Sequence, residues 1–184
     1  MSLNRFIFLA GALFLLPGIS PAFAACPDML QHDMKRLHSS DVIDLCHEFG
    51  GKPLLVVNTA SHCGFTPQFE SLEALHQRFR DRDVGFLGVA SDSFNQEAAS
   101  EAKAAEVCYV NYGVSFTMTA PVPVTGIDAH PLFRELGAQT RPPQWNFNKY
   151  VVDKNGEVVA AFGSTTQPDD PAIVKLLDQL AADS

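Results

Sequence analysis

The chain has 184 residues, of which 13 are Lys or Arg and 21 are Asp or Glu, so its net charge is −8 at pH 7. This length suffices for one domain of ordinary size with a substantial apolar core. The acidic surface that this charge predicts argues against nucleic acid and against an anionic membrane as partners, because both would repel it.

The first 24 residues have the pattern of a secretory signal peptide. Arg5 supplies a positive charge, residues 6–16 form an apolar run, and residues 22–24 (AFA) make a small-x-small cleavage site. We therefore expect cleavage after Ala24, export to a periplasmic compartment, and a single mature domain at residues 25–184. A retained N-terminal anchor and a lipoprotein processed at Cys26 are the alternatives.

Cys26 and Cys46 flank a short segment at the start of the mature chain. Because export would place them in an oxidising compartment, we interpret them as a structural disulfide. Two free or metal-binding thiols are the alternative. No Cys/His pair in the chain has the spacing of a zinc site, so we expect no metal.

Hydrophobic patterning predicts alternating strands and helices along the rest of the chain. In chain order, the predicted elements are a helix (41–49), a buried strand (54–58), a helix (67–80), a second buried strand (84–90), an alanine-rich helix (97–109), an edge strand or loop (122–127), a helix (130–136), a hairpin (147–152 with 157–162) and a last helix that Asp170 caps. This order predicts an α/β fold, a thioredoxin-like sandwich in which a central mixed β-sheet is flanked by helices.

Cys63 follows the first buried strand and precedes the helix at 67–80. Unpaired backbone N–H groups and the positive end of a helix dipole stabilise a thiolate at such a position. A local exchange pair would need a second cysteine three residues later, and that residue is Thr66. A lone thiolate fits peroxide chemistry instead, in which the sulfur attacks an O–O bond and becomes a sulfenic acid.

Several motifs resemble those of the glutathione peroxidase family in its cysteine-containing form. They are residues 57–66 (VNTASHCGFT) with Gln68, Leu72 and Leu75 after them, residues 87–89 (LGV) through Phe94 to Gln96 and Glu97, residues 126–132 (GIDAHPL), and residues 145–153 (WNFNKYVVD) with Gly156 and Phe162. The resemblance covers roughly residues 51–180, most of the predicted mature chain.

The resemblance implies a catalytic set of Cys63, Gln96, Trp145 and Asn146, with Cys63 as the peroxidatic residue. The loop at residues 92–99 is one residue shorter than the family pattern, lacks its Pro-Gly pair, and has Asp92 where Asn is usual. In thioredoxin-dependent members a resolving cysteine lies in the region of Cys108, so Cys108 is the candidate that would close a disulfide with Cys63.

The resemblance also implies a hydroperoxide substrate and a reducing thiol as co-substrate, with no other cofactor. No cluster of basic residues near the motifs is available to hold glutathione carboxylates, so a thioredoxin-like protein is favoured over glutathione as the reductant. The connection between Leu136 and Trp145 is short, whereas tetrameric members carry an insertion there, so we expect a monomer.

Two other functions remain compatible with a thioredoxin-like fold. One is a disulfide reductase or isomerase, which the missing second cysteine argues against. The other is a non-catalytic redox sensor or binding protein, for which the shortened loop around Gln96 is the main support.

Overall fold

The computed structural model describes residues 26–183. The strands are β1 (Asp33–Lys35), β2 (Val42–Asp44), β3 (Leu54–Thr59), β4 (Gly85–Ala90), β5 (Thr117–Thr119), β6 (Lys149–Val152) and β7 (Val158–Phe162). The helices are α1 (Leu45–Phe49), α2 (Gln68–Phe79), α3 (Glu101–Ala105), α4 (Pro131–Gln139) and α5 (Pro171–Ala182), with 3₁₀ turns at Asp28–Leu30 and Arg80–Arg82 and a π-helical segment, Glu106–Asn111, directly after α3.

Strand β3 is the centre of the main sheet, whose strand order is β5-β4-β3-β6-β7. It pairs in parallel with β4, where Val56 lies opposite Leu87, and antiparallel with β6, where Val56 lies opposite Tyr150. All six residues of β3 are buried, as its continuous apolar sequence predicts for a strand covered on both faces.

Each face of the sheet has its own apolar core. Successive side chains of a strand point to opposite faces, so Leu55 and Val57 pack with α2, α3 and α5, whereas Leu54 and Val56 pack with α1 and α4. Helices therefore cover both sides of a mixed sheet, which confirms the α/β sandwich predicted from the sequence.

The elements with the strongest sequence patterns lie close to their predicted positions. Helix α2 buries the apolar residues Phe69, Leu72, Leu75 and Phe79, which recur at helical spacing. Strands β6 and β7 form the predicted hairpin. The Asp170 side chain accepts a hydrogen bond from a backbone N–H of the first turn of α5, as the capping pattern predicts.

The prediction of a helix over residues 41–49 is wrong for its first part. Val42 and Ile43 belong to β2, because their branched side chains favour an extended backbone and they pair with β1. The helix begins only at Leu45, where the Asp44 carboxylate accepts a hydrogen bond from the backbone N–H of His47 (2.9 Å).

The helix predicted at residues 97–109 also differs from the structure. Helix α3 begins at Glu101 instead of residue 97, because the Ser100 side chain caps it, and the chain then widens into the π-helical segment. Residues 122–127 form a loop, the second of the two predicted alternatives. The edge strands of the sheet are β5, which lies before this loop, and β7.

A disulfide between Cys26 and Cys46, whose Cα atoms lie 5.9 Å apart, closes the N-terminal segment. The signal peptide predicted for residues 1–24 and its cleavage site lie outside the described residues. Across residues 26–183, no helix combines the length and the apolar character needed to cross a membrane. The same residues contain no group of three or more His, Cys, Asp or Glu side chains placed to hold a metal ion.

Candidate active site

Three loops meet at one edge of the main sheet. Strands β3 and β4 are parallel, so the loops that follow them leave the sheet at the same edge. Strand β6 is antiparallel to β3, so the segment that precedes it reaches that edge as well. These loops carry Cys63, Gln96 and the Trp145–Asn146 pair, so the topology gathers the predicted catalytic residues.

The loop that carries Cys63 is a series of turns between β3 and α2. Thr66 holds it together, because its hydroxyl accepts a hydrogen bond from the Cys63 N–H (3.1 Å) and donates one to the carbonyl of Ala60 (2.9 Å). The side chain of Cys63 is buried, with 6% of the residue exposed, and the thiol is free. The backbone N–H of Phe65 points at its sulfur, with an N···S distance of 3.5 Å.

The environment of this sulfur differs from the one expected at a helix terminus. The first backbone N–H groups of α2 are already paired, since those of Gln68 and Phe69 donate to the carbonyls of Phe65 and Thr66. The Phe65 N–H, which lies before the helix, is therefore the backbone donor available to Cys63. The turns that separate Cys63 from α2 are the reason for this difference.

The loop that carries Gln96 makes a tight turn despite its short length. Asn95 adopts a left-handed backbone conformation (φ 55°), which Asn tolerates better than most residues, and its N–H donates to the carbonyl of Asp92 (2.9 Å). The carbonyl of Gln96 then accepts a hydrogen bond from the N–H of His62 (2.9 Å). Asp92 is exposed, and its carboxylate accepts from the N–H of Glu97.

Buried Asn58, at the end of β3, holds the loop that contains Trp145 and Asn146. Its side-chain amide donates to the carbonyl of Trp145 (3.0 Å), and its side-chain oxygen accepts from the N–H of Asn148 (3.1 Å). Its backbone carbonyl accepts from the N–H of Phe147, which has a positive φ of 59°. One residue of β3 thus fixes the turn on which Asn146 sits.

Asn146 is fully buried, and its side-chain N–H donates to the Gln96 side-chain oxygen (3.2 Å). Its own side-chain oxygen, Oδ1, is buried and has no hydrogen-bond donor among the described residues. Buried polar atoms in proteins are nearly always paired, so Oδ1 is an acceptor available to a bound molecule. Trp145 is 40% exposed, and its ring packs at 5.2 Å (between ring centroids) from that of Phe94.

The structure brings the four predicted catalytic residues together to different degrees. Gln96 and Asn146 are directly hydrogen bonded, and Cys63 is joined to Gln96 through the backbone bond of its neighbour His62. Within residues 26–183, none of Gln96, Trp145 and Asn146 donates a hydrogen bond to the Cys63 sulfur. The Gln96–Asn146 pair is therefore formed in the structure, and its link to Cys63 runs through the backbone bond of His62.

Cys108 lies in the π-helical segment and shares an apolar core with Cys63. Only 2% of the residue is exposed, and burial raises the pKa of its thiol to about 12. A cavity of about 660 Å³ opens beside Cys63 and is lined on its other side by Val107, Asn111 and Tyr112, the immediate surroundings of Cys108. Cys63 thus lines this cavity, and Cys108 is next in sequence to Val107, which lines it too.

Two residues of the site were not predicted as functional from the sequence. Asn58 and Thr59 follow four apolar residues of β3, and a buried amide near the end of such a strand was the available signal. Glu97 adjoins Gln96, and its carboxylate accepts hydrogen bonds from Ser61, which lies two residues before Cys63. Nothing in the sequence pattern indicated that contact.

Comparison with known proteins places the chain among glutathione peroxidases. A sequence model of the glutathione peroxidase family matches residues 31–137. The chain is 42% identical over 129 residues to a glutathione peroxidase of Lactococcus lactis, covering 67% of this chain and 82% of the relative. It is also 42% identical over 144 residues to the hydroperoxy fatty acid reductase of a Synechocystis species, covering 71% and 85%.

Among solved structures, the crystal structure of Trgpx in its apo form superposes with a TM-score of 0.66 at 28% identity. The match covers 84% of this chain and 95% of that protein.

Proposed function

The chain belongs to the glutathione peroxidase family and reduces peroxides with electrons from a thiol donor, and we propose that Cys63 is the residue that reacts with the peroxide. The observation that carries this assignment is that the loops with the free, buried Cys63 and with the hydrogen-bonded Gln96–Asn146 pair lie at the same edge of the sheet. Trp145 completes the proposed catalytic set.

In the proposed first step, the Cys63 thiolate attacks one oxygen of the hydroperoxide and the O–O bond breaks. The sulfur keeps the attacked oxygen and becomes a sulfenic acid, and the other oxygen leaves as water or an alcohol after it takes up a proton. The Phe65 N–H supports the charge on the sulfur. The unpaired Oδ1 of Asn146 can accept a hydrogen bond from the O–H of the hydroperoxide and so orient it.

In the proposed second step, the Cys108 thiol attacks the Cys63 sulfenic acid. An S–S bond forms, and the oxygen leaves as water with the thiol proton. Cys108 is buried, and its raised pKa keeps it protonated, so the π-helical segment has to open locally before the two sulfurs meet. Two thiol groups of the reductant then reduce the Cys63–Cys108 disulfide.

We propose a thioredoxin-like protein as the donor, with glutathione as the weaker one. The residues that line the cavity beside Cys63 include no Lys or Arg that could bind the carboxylates of glutathione. Lys149, close to the motifs, is fully buried and so is not available to such a ligand.

We also propose that the protein works as an exported monomer. The short connection from the end of α4 at Gln139 to Trp145 supports the monomer, because it leaves no insertion to build an oligomer interface. The Cys26–Cys46 disulfide supports export, because structural disulfides persist in oxidising compartments. The mass of the purified mature protein and its sedimentation would test both points.

Steady-state peroxide reduction with a thioredoxin-type donor and with glutathione tests the proposed function. We expect turnover by the wild-type protein, faster with the dithiol protein, and none by Cys63→Ser. The matched control is Cys108→Ser, which should still form one sulfenic acid at Cys63 per molecule. Turnover by Cys63→Ser equal to that of wild type would contradict the assignment of the nucleophile.

A further inference from the structure

We propose that Glu97 is a positioning residue of the peroxidase site, whose carboxylate holds the Cys63 loop against the Gln96 loop. This inference rests on the proposed role of Cys63 as the nucleophile. It adds a residue that touches neither the sulfur nor the three other members of the proposed catalytic set through its side chain. Its side chain acts instead on the segments that present them.

One oxygen of Glu97 receives three hydrogen bonds from two different loops. Oε1 accepts from the backbone N–H of Ser61 (3.2 Å), from the hydroxyl of Ser61 and from the backbone N–H of Ala98 (2.7 Å). Ser61 belongs to the loop after β3, and Ala98 belongs to the loop after β4. The carboxylate therefore bridges the two loops, and hydrogen bonds to an ionised acceptor are roughly twice as strong as those between neutral groups.

The hydrogen bonds of Glu97 lie next to a backbone bond that joins the neighbours of the residues proposed to react. Beside the contact of Ser61 with Glu97, the N–H of His62 donates to the carbonyl of Gln96 (2.9 Å). Two consecutive residues of each loop are thus paired, immediately before Cys63 on one side. On the other side, the Gln96 side chain accepts from Asn146. A shift of Glu97 would move Gln96 and, through Ser61 and His62, also Cys63.

The ionised carboxylate of Glu97 is partly buried, and burying a charge is unfavourable in free energy. The carboxylate is partly buried, and burial raises its pKa, although the bonds from Ser61 and Ala98 and the nearby imidazole of His62 oppose that effect. Within residues 26–183 it forms no ion pair with Lys or Arg. The other titratable groups facing it are Asp92, which binds its backbone N–H, and Cys108, whose pKa the ionised carboxylate raises.

The pH dependence distinguishes a positioning role from a structural one. When Glu97 is protonated, its bonds to Ser61 and Ala98 lose their charge assistance, and the side chain becomes equivalent to the neutral amide of Gln. The advantage of wild type over Glu97→Gln should therefore exist above the pKa of Glu97 and vanish below it. A purely structural contribution would give the same ratio at every pH.

The experiment measures the second-order rate constant for oxidation of Cys63 by hydrogen peroxide, in a Cys108→Ser background, between about pH 4.5 and about pH 8. We expect Glu97→Ala to lower the constant by about tenfold at neutral pH, and Glu97→Gln by about threefold, with the Gln variant converging on wild type at acid pH. The matched control is Glu101→Gln, an acid whose partners are Lys35 and the His38 N–H. It should leave the constant unchanged.

A folded Glu97→Ala protein that reacts at the wild-type rate would overturn the inference. If that variant does not fold, as judged by circular dichroism, Glu97→Gln decides, and a constant ratio to wild type across the pH range would overturn it. Failure of the wild-type protein itself to be oxidised at Cys63 would instead reject the proposed function, so the two failures are distinguishable.

Discussion

Lys149 lies at a position with no exposed surface. Burying its ammonium group there is unfavourable in free energy, because the charge loses its contact with water. In the part of the chain described by the structure it forms no ion pair. Its Nζ donates to the side-chain oxygen of Gln68 and to the carbonyls of Ser164 (3.5 Å) and Thr166 (2.6 Å). Burial lowers the pKa of this group to about 7.

The hydrogen bonds of Lys149 connect two parts of the fold, which offsets the unfavourable burial of its charge. Gln68 begins α2, and Ser164 follows β7, so the ammonium group ties the helix after Cys63 to the loop after the hairpin. The Ser164 hydroxyl in turn donates to the carbonyl of Asn146 (2.6 Å). The lysine therefore supports the turn that carries Asn146, although it does not enter the site.

The lowered pKa of Lys149 predicts that the protein becomes more stable as the pH rises from about 7 to about 10. In this window the unfolded chain holds a proton that the folded chain has lost, so the free energy of unfolding should rise by up to about 1.4 kcal/mol per pH unit. Below about pH 7 both states are protonated, and the whole penalty of burying the charge applies.

Urea unfolding at several pH values, in a Cys63→Ser/Cys108→Ser background that prevents thiol oxidation, would measure this slope. Lys149→Met keeps an unbranched side chain that is one atom shorter and removes the titration, so the pH dependence of the difference in unfolding free energy between the two proteins reports one proton. Parallel curves for the two proteins would show that Lys149 stays charged in the folded state.

Side chains and backbone groups of the candidate site differ in how far the sequence predicts them. Cys63, Trp145 and Asn146 were proposed from the sequence because they stand in distinctive motifs and because the proposed chemistry would use their side chains. The link between the loops runs through the N–H of His62 and the carbonyl of Gln96, and backbone groups leave no mark on residue identity. The turn at Asn95 is different, because Asn tolerates a positive φ and its N–H bonds locally to the carbonyl of Asp92, so residue identity offered a signal for that turn.

At the scale of elements, helices and strands with long, regular apolar patterns could be predicted from the sequence, and short ones could not. Strand β3 and helices α2 and α5 have long apolar patterns that fix their type and their buried face. Strands β2 and β5 have three residues each, too few for a period, and exist because a neighbouring strand pairs with them. Short strands of this kind are properties of the packed fold more than of their own sequence.

The π-helical segment Glu106–Asn111 is the element whose geometry matters most for the proposed reaction. Short π-helical insertions are rare and frequently lie at functional sites. Here the segment contains Cys108, whose thiol donates to the carbonyl of Ala105 (3.7 Å). Val107 and Asn111 of the same segment line the cavity beside Cys63. Val110, on the same segment, is 74% exposed, so only part of the segment is held by the core.

Opening of this segment predicts two kinetic phases after peroxide is mixed with the reduced protein. The first, formation of the Cys63 sulfenic acid, should be proportional to peroxide concentration. The second, formation of the Cys63–Cys108 disulfide, should not depend on it, because local unfolding within one molecule precedes bond formation. Stopped-flow fluorescence of Trp145, the one tryptophan of the chain, would follow both phases.

The matched variant for this experiment is Cys108→Ser, which should keep the first phase and lose the second. Peptide mass spectrometry should find the Cys63–Cys108 disulfide in the wild-type product. A second phase that persists in Cys108→Ser, or an unlinked Cys63 sulfinic acid as the main wild-type product, would remove the resolving role of Cys108.

At the scale of the whole molecule, the two cores divide the fold into a reactive face and a supporting face. The core that contains Cys63 and Cys108 also holds α2, α3 and α5. Most of the N-terminal segment packs into the other core, through Met29, Leu30, Met34 and Ile43, and Leu37 alone reaches the core of Cys63. Because Cys26 packs against the core across the sheet from Cys63, changes at this end of the segment should alter stability and leave the chemistry of Cys63 intact.

The Cys26–Cys46 disulfide allows that separation to be tested, because it closes a loop of 20 residues in sequence on the supporting face. By the chain-entropy model, a loop of this length stabilises the folded state by roughly 3 kcal/mol. We expect Cys26→Ser/Cys46→Ser to lower the free energy of urea unfolding by about that amount, and its rate constant for peroxide oxidation of Cys63 to equal that of wild type at temperatures where both are folded. Cys63→Ser, as the matched control, keeps the Cys26–Cys46 disulfide and should show no oxidation and a smaller loss of stability than the double variant. A fall in the Cys63 rate of the folded double variant would mean that the N-terminal segment is coupled to the site through the sheet.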